Sequence, residues 1–175
     1  LYAMWAALMG VYHAQKTGEG DVIDVSQYES CLRVQGYGPL MYTTTGEQLK
    51  RTGNKEATYA GIDVFECKDG NYCVVQVSGR PAAKAIAALL GLDDEEPFIE
   101  GRPTLNGTPQ GDRLDGAIKA FCLERTPDEV ETQLKAIGVA CAPINNYEML
   151  MSNPHVIARN DFVAVSYTHL TLPTN

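Results

Sequence analysis

No apolar run in this chain approaches the roughly 20 residues that a helix needs to cross a bilayer. The start has neither a Met nor the layout of a secretory signal, and Leu1 already sits in a helical pattern, so the chain reads as a piece of a longer protein. Positive charge is scarce. Lys and Arg total 14 against 22 for Asp and Glu, a formal net charge of −8. That balance excludes nucleic acid as the partner, because such affinity rests on cations that neutralise phosphates. Histidine is limited to His13, His155 and His169, with no H-E-x-x-H or other metal spacing. The cysteines, Cys31, Cys67, Cys73, Cys122 and Cys141, are odd in number, widely spaced and free of any C-x-x-C pair. A zinc cluster is therefore not expected. The reading is of reduced thiols packed as small hydrophobes in a cytoplasmic protein. Ser30 and Ser78 lack a nucleophile-elbow context. Gly18-Glu19-Gly20 follows a helix rather than a strand and lacks the third glycine of a dinucleotide fingerprint.

What is present is enough to fold. Hydrophobic residues make up 45% of the 175, and charged residues 21%, so apolar surface suffices for a core. The length fits one domain or two small pieces of a larger one. Leu1 to Lys16 is rich in Ala, Leu and Met and apolar on nearly all faces, which predicts a buried helix stopped by Gly18. Asp21 to Ser26 alternates and predicts a strand, the second half of an α/β unit. Gln27 to Thr45 predicts a helix broken near Gly38-Pro39. Gly46 to Gly61 has no period and reads as a linker or long loop.

A second region begins at Ile62. Two strand-like runs, IDVFEC and NYCVVQV, flank Lys68-Asp69-Gly70, a hairpin signal. Helices are expected over Ala82–Leu90 and Leu114–Glu124, with residues 97–113 a loop between them. Thr126-Pro127-Asp128-Glu129 marks the start of another helix, which ends at Gly138. Val139 to Ile144 predicts a third strand, Asn146 to Arg159 two short helical pieces, and Asp161 to Val165 the start of a further strand. The last ten residues, SYTHLTLPTN, contain no charge. They resemble a translated sequencing-library adapter, and we treat residues 166–175 as non-native.

Few residues point to chemistry by themselves. Asp24 and Asp63 fall inside expected strands, where an acid can be catalytic but more often points to solvent. The segment Lys50-Arg51-Thr52-Gly53-Asn54-Lys55 concentrates positive charge and glycine in an acidic chain. It suits either an anionic ligand or a solvated linker.

Taken together, several strings resemble family III CoA-transferases. Thr17-Gly18-Glu19-Gly20 with VIDVSQYES is similar to that family's signature, and Tyr59-Ala60-Gly61 through Phe65-Glu66-Cys67-Lys68-Asp69-Gly70 to its strand into a small domain. IGVACAPI and Asn153-Pro154-His155-Val156-Ile157-Ala158-Arg159 echo it again, and the likeness is nearest to the carnitine (crotonobetainyl-CoA) type. The resemblance implies an α/β fold in which a Rossmann-like large domain carries an inserted small α/β domain with a short antiparallel sheet. Residues 1–45 would end the first large-domain portion, 46–61 cross over, 62–159 form the small domain, and 160–165 begin the return. Two full-length copies would interlock as a homodimer, without membrane association.

The implied activity is transfer of CoA between carboxylic acids. An aspartate attacks the acyl-CoA thioester to give a mixed anhydride and then an enzyme-bound CoA thioester. The resemblance puts that aspartate ahead of Leu1, so no catalytic residue is assigned here and the chain alone is expected to be inactive. No cofactor is held permanently; the coenzyme A thioester is a substrate, alongside a small carboxylic acid. The resemblance assigns Thr58, Tyr59 and Ala60 to substrate, where a related branch has a glycine-rich loop that this sequence lacks. It assigns Gly79, Arg80 and Pro81 to coenzyme A. Arg80 suits a phosphate or carboxylate through its two-pronged guanidinium, and equally suits a surface position at a helix start; Tyr59 could equally pack at the start of the strand. An α-methylacyl-CoA racemase of the same fold, working by proton transfer next to the thioester carbonyl, is the alternative. A non-catalytic binding module is the third reading.

Overall fold

The structure, a computed structural model, describes residues 1–94 and 96–163. The expectations for residues 164–175, the non-native tail among them, lie outside the described residues. The chain divides into two compact units, Leu1–Arg51 and the residues from Thr52 onward.

The first unit is helical. Helix α1 (Tyr2–Thr17) forms from strong helix formers and ends at Gly18, whose φ of 77° lets its N–H reach the Ala14 carbonyl at 2.8 Å. Helix α2 (Gln27–Arg33) starts at Ser26, whose hydroxyl accepts from the Glu29 N–H. Helix α3 (Gly38–Thr45) carries Pro39 in its first turn, where a missing N–H costs nothing. The break thus falls at residues 34–37, ahead of the expected Gly38-Pro39.

Two expectations for this unit fail. The helix read as buried has no buried residue, and Trp5 is 64% exposed, because nothing within the unit covers its apolar faces. Residues 21–26 form no strand. A strand needs a partner's N–H and C=O groups, and the described residues of this unit supply none. Ile23 instead rests on Gly10, where an added Cβ would lie 2.7 Å from Ile23 Cδ1.

The second unit is a three-stranded antiparallel sheet covered by helices. Strands β1 (Ile62–Glu66), β2 (Tyr72–Gln76) and β3 (Ala140–Pro143) lie in the order β1-β2-β3. The β1–β2 hairpin turns at Asp69-Gly70 as its sequence predicts. Gly70, at φ 77°, donates to the Cys67 carbonyl, and the Asp69 carboxylate accepts from both the backbone and the side-chain amide of Asn71. The Asn71 side-chain bond first, then the backbone bonds, hold the Asp69 carboxyl below its usual range.

Alternation fixes the face of the sheet. Cys73 and Val75 of β2 are fully buried, while Tyr72, Val74 and Gln76 point outward. Helices α4 (Gly79–Leu90), α5 (Pro109–Leu123) and α6 (Pro127–Ala136) bury Ile86, Ile118, Val130 and Leu134 in the same core. Helix α6 begins at Thr126-Pro127, as the sequence predicts, and the structure adds a full capping box between Thr126 and Glu129. Helix α5 begins five residues earlier than expected, at a Thr108-Pro109 start of the same kind. Asn146 and Asn153 cap the short helices α7 (Tyr147–Ser152) and α8 (Pro154–Arg159). Residues 161–163 are not in a strand.

Candidate functional site

Residues 55–61 hold an irregular path, and side chains fix it. The Glu56 carboxylate accepts from the backbone N–H of Thr58 at 2.6 Å and of Tyr59 at 2.5 Å. The Asn106 side-chain amide donates to the carbonyls of Glu56 and Tyr59. Backbone bonds add Asn106 N–H to the Thr58 carbonyl and Ala60 N–H to the Thr104 carbonyl, so Tyr59 faces Leu105 in an antiparallel bridge. Gly61 donates to Asp115 Oδ1 at 2.7 Å, and Asp115 Oδ2 pairs with Lys55 Nζ at 2.5 Å. Helix α5 therefore anchors the segment from below, and the segment 104–106 anchors it from the side.

Beside this anchored turn lies a cleft of about 200 Å³. Tyr59 and Ala60 form one wall, and Val77, Ser78 and Gly79 another, where β2 hands over to α4. Ile62, Ala83 and Leu114 supply aliphatic floor, and Pro103 and Thr104 close the remaining side. No charged side chain lines it. Its polar groups are a phenol, two hydroxyls and the start of a helix. No carboxylate or thiol lines it.

The structure brings together Tyr59, Ala60 and Gly79, which the resemblance had placed in two separate sets. Thr58, Arg80 and Pro81 do not line the cleft. Thr58 is turned into the backbone pairing with Asn106, and Arg80 is exposed. Sequence reasoning missed Thr104, Ala83 and Leu114. The only signal for Thr104 lay in Thr108-Pro109 as a helix start, which shortens the loop before it; no local pattern pairs residue 104 with residue 60.

A second cluster lies in the core. Cys67 Sγ is 3.6 Å from Cys73 Sγ, which is 3.8 Å from Cys122 Sγ, and Cys141 is buried beside them. Burial first, then the bond to Cys73, pushes the Cys67 thiol up to about 12. The bond to Cys73, with burial next, raises Cys122 and Cys141 as well. Contact with Cys122 first, then with Cys141, lowers Cys73 relative to its usual range. All four are free thiols and pack as small apolar groups, whereas Cys31 is exposed, against expectation. Among the described residues no group of His, Cys, Asp and Glu is arranged to hold a metal ion. No helix among them is long and apolar enough to cross a membrane.

The second unit is thus a mixed α/β fold with a neutral, mostly aliphatic cleft beside an anchored turn. The sequence model of CoA-transferase family III matches residues 1–175, and the chain belongs to that family. It is 34% identical over 170 residues to the bile acid CoA-transferase BaiK of Clostridium scindens (strain JCM 10418 / VPI 12708), covering 93% of this chain and 38% of that protein. A CAIB/BAIF family protein from Brucella suis has a similar structure, with a TM-score of 0.64 at 23% identity over 90% of this chain and 42% of that one. Rv3272 from Mycobacterium tuberculosis is similar at a TM-score of 0.62 and 19% identity, over 90% of this chain and 40% of the other. At these identities the structures show a shared fold. The chain thus spans well under half the length of the relatives it matches.

Proposed function

We propose that this chain is the substrate-contacting part of an enzyme that moves CoA between small carboxylic acids, of the carnitine and crotonobetaine type. The observation that carries the reading is the cleft, because it gathers Tyr59, Ala60 and Gly79 from two segments that the resemblance assigned to substrate and to coenzyme A. The family match and the relative named as a CoA-transferase support the reaction class. The cleft volume supports a small acid: it lies below the roughly 300–1,000 Å³ of pockets for drug-sized ligands.

In this reading residues 1–45 end a portion of the large domain, 46–61 cross over, 62–159 form the small domain, 160–165 begin the return, and two copies interlock. The nucleophile is an aspartate ahead of Leu1. Its carboxylate attacks the thioester carbonyl, the C–S bond breaks, and CoA leaves as the thiolate. The thiolate then attacks the aspartyl carbonyl and frees the donor acid. The acceptor acid repeats both steps in reverse, so charge and atoms balance without a cofactor. The residues of this chain contribute position. The cleft wall at Tyr59 and Ala60 holds the acyl side, Gly79 to Pro81 approach coenzyme A, and Arg80, exposed at the start of α4, meets one of its anionic groups.

The test uses the whole protein with butyrobetainyl-CoA and carnitine, read by mass spectrometry. Carnitinyl-CoA and free butyrobetaine are expected in equal amounts, with a raised KM for acyl-CoA in Arg80→Ala. Solvent hydrogen entering a 2-methylacyl-CoA without CoA movement would replace this reading by the racemase.

A further inference from the structure

The turn before α5 carries the chain's single Asn-Gly pair, Asn106-Gly107. In such a pair the glycine nitrogen has no neighbouring side chain to shield it, and it attacks the asparagine amide more readily than any other residue's nitrogen does. Gly107 is exposed at φ 74°, with nothing within 4 Å of where a Cβ would stand. Its N–H makes no hydrogen bond among the described residues, so the attacking nitrogen is open to solvent. Asn106 itself is half-buried and tied to the anchored turn. Its side-chain nitrogen donates to the Glu56 carbonyl at 2.6 Å and to the Tyr59 carbonyl at 3.1 Å, and its backbone N–H donates to the Thr58 carbonyl. Its Oδ1 is buried and accepts from nothing among the described residues. The place therefore calls for a group with two donors on one side. A carboxylate there would set one oxygen against two carbonyls and leave the other buried without a donor.

We propose that Asn106 is a deamidation site, and that its conversion to an acid unlatches residues 55–61 and so frees the cleft wall formed by Tyr59 and Ala60. The Gly107 nitrogen gives its proton to solvent and attacks Asn106 Cγ. The new C–N bond closes a cyclic imide, the bond to Nδ2 breaks, and ammonia leaves with a proton from water. Water then adds to either imide carbonyl and reopens the ring to aspartate or isoaspartate. Water is the one co-reactant, and nothing is oxidised or reduced. The inference stands without the CoA-transfer reading.

The test is ageing of the 15N-labelled 175-residue chain at mildly alkaline pH, folded and in urea, followed by peptide mass mapping and by methylation with an isoaspartyl methyltransferase. Asn106 is expected to convert ahead of the other asparagines in both. The folded chain is expected to be slower at least about tenfold, because two hydrogen bonds must first break. Gly107→Ala is expected to slow conversion in urea, where shielding of the nitrogen acts alone. Asn106→Asp is expected to speed amide exchange at Tyr59 and Ala60 at least about tenfold while the β2 amides keep their rates. Asn106→Ala is expected to speed it less, since it removes the donor without adding a charge.

Prior conversion at another asparagine, or an Asn106 that stays intact through ageing of the folded chain, would overturn the proposal. So would equal rates folded and in urea, or an unchanged rate for Gly107→Ala in urea. Exchange at Tyr59 and Ala60 no faster in Asn106→Asp than in Asn106→Ala would overturn the unlatching. If Asn106→Asp fails to fold, the partly aged parent gives the same reading. Two exchange populations are then expected at Ala60, and a single one at the parent rate would overturn the unlatching. No arm reads CoA transfer, so failure here leaves the proposed function as it stands.

Discussion

Replacing Gly61 by alanine strikes the point where the anchored turn, β1 and the cleft meet. Gly61 has φ 78°, a left-handed conformation that costs an L-residue roughly 1–2 kcal/mol. Its backbone cannot relax, because its N–H is bonded to Asp115 and its carbonyl accepts from Val77 N–H at 3.0 Å. The new Cβ would lie 2.8 Å from Val77 Cγ2, 3.1 Å from Val77 Cβ and 3.2 Å from Leu114 Cδ2. Overpacking of that kind costs roughly 1–3 kcal/mol. The lower entropy of the unfolded alanine chain returns roughly 0.4–1 kcal/mol. The net loss is therefore about 3 kcal/mol, on the left-handed and overpacking costs together.

Trp5, the single tryptophan, lies in the first unit, so its fluorescence does not report this change. Urea unfolding followed through the β2 amides does, with the slope compared to confirm that the states are alike. Gly116→Ala is the control. It sits inside α5 with nothing within 4 Å of an added Cβ, and is expected to stabilise by roughly 0.5–1 kcal/mol. A Gly61→Ala chain within about 0.5 kcal/mol of the parent would refute the reasoning, since neither cost falls below that alone. Val77 and Leu114 also line the cleft, so in the whole protein the variant should raise KM for the acid even where it stays folded.

Asp115→Ala removes the acceptor of Gly61 N–H and the partner of Lys55, and is expected to cost about 1–3 kcal/mol and to speed amide exchange at Tyr59 and Gly61 before it affects β2; exchange that stays uniform would count against the anchoring role. Glu129 is held below its ordinary value of 4.5, chiefly by the Thr126 backbone N–H, so its contribution is full above that value and is lost as pH falls through the lower folded one. Glu129→Gln should therefore lower stability near pH 7, where the carboxylate's contribution is full, and the parent and variant curves should converge as pH falls below about 4.5. A thiol reagent should label one cysteine, Cys31, in the native chain and all five after unfolding; fast labelling of Cys73 would contradict its burial.

The second unit was legible because its signals are local. Asp69-Gly70 between alternating runs, Gly91 after an apolar helix, and the Thr126 capping box each commit a few residues by turn or cap chemistry alone. The first unit was less so. A run such as Leu1–Lys16 shows that apolar faces exist but not what covers them, and DVIDVS has a strand's alternation without a strand's partner. The cleft was legible in part. Tyr59, Ala60 and Gly79 came from segments the resemblance marked, while Thr104 reaches the site through a bridge to residues more than forty positions away, and Ala83 and Leu114 through helix faces. Such long-range placement leaves no trace in spacing.

Steady-state kinetics of the whole protein, comparing the parent with Ala83→Leu, test the role of the cleft most directly. Filling the space beside Ile62 and Leu114 is predicted to raise KM for both the acyl-CoA and the acceptor acid about tenfold or more. An unchanged KM for the acid, in a variant whose β1 and β2 amides are undisturbed, would contradict the assignment of this cleft to substrate.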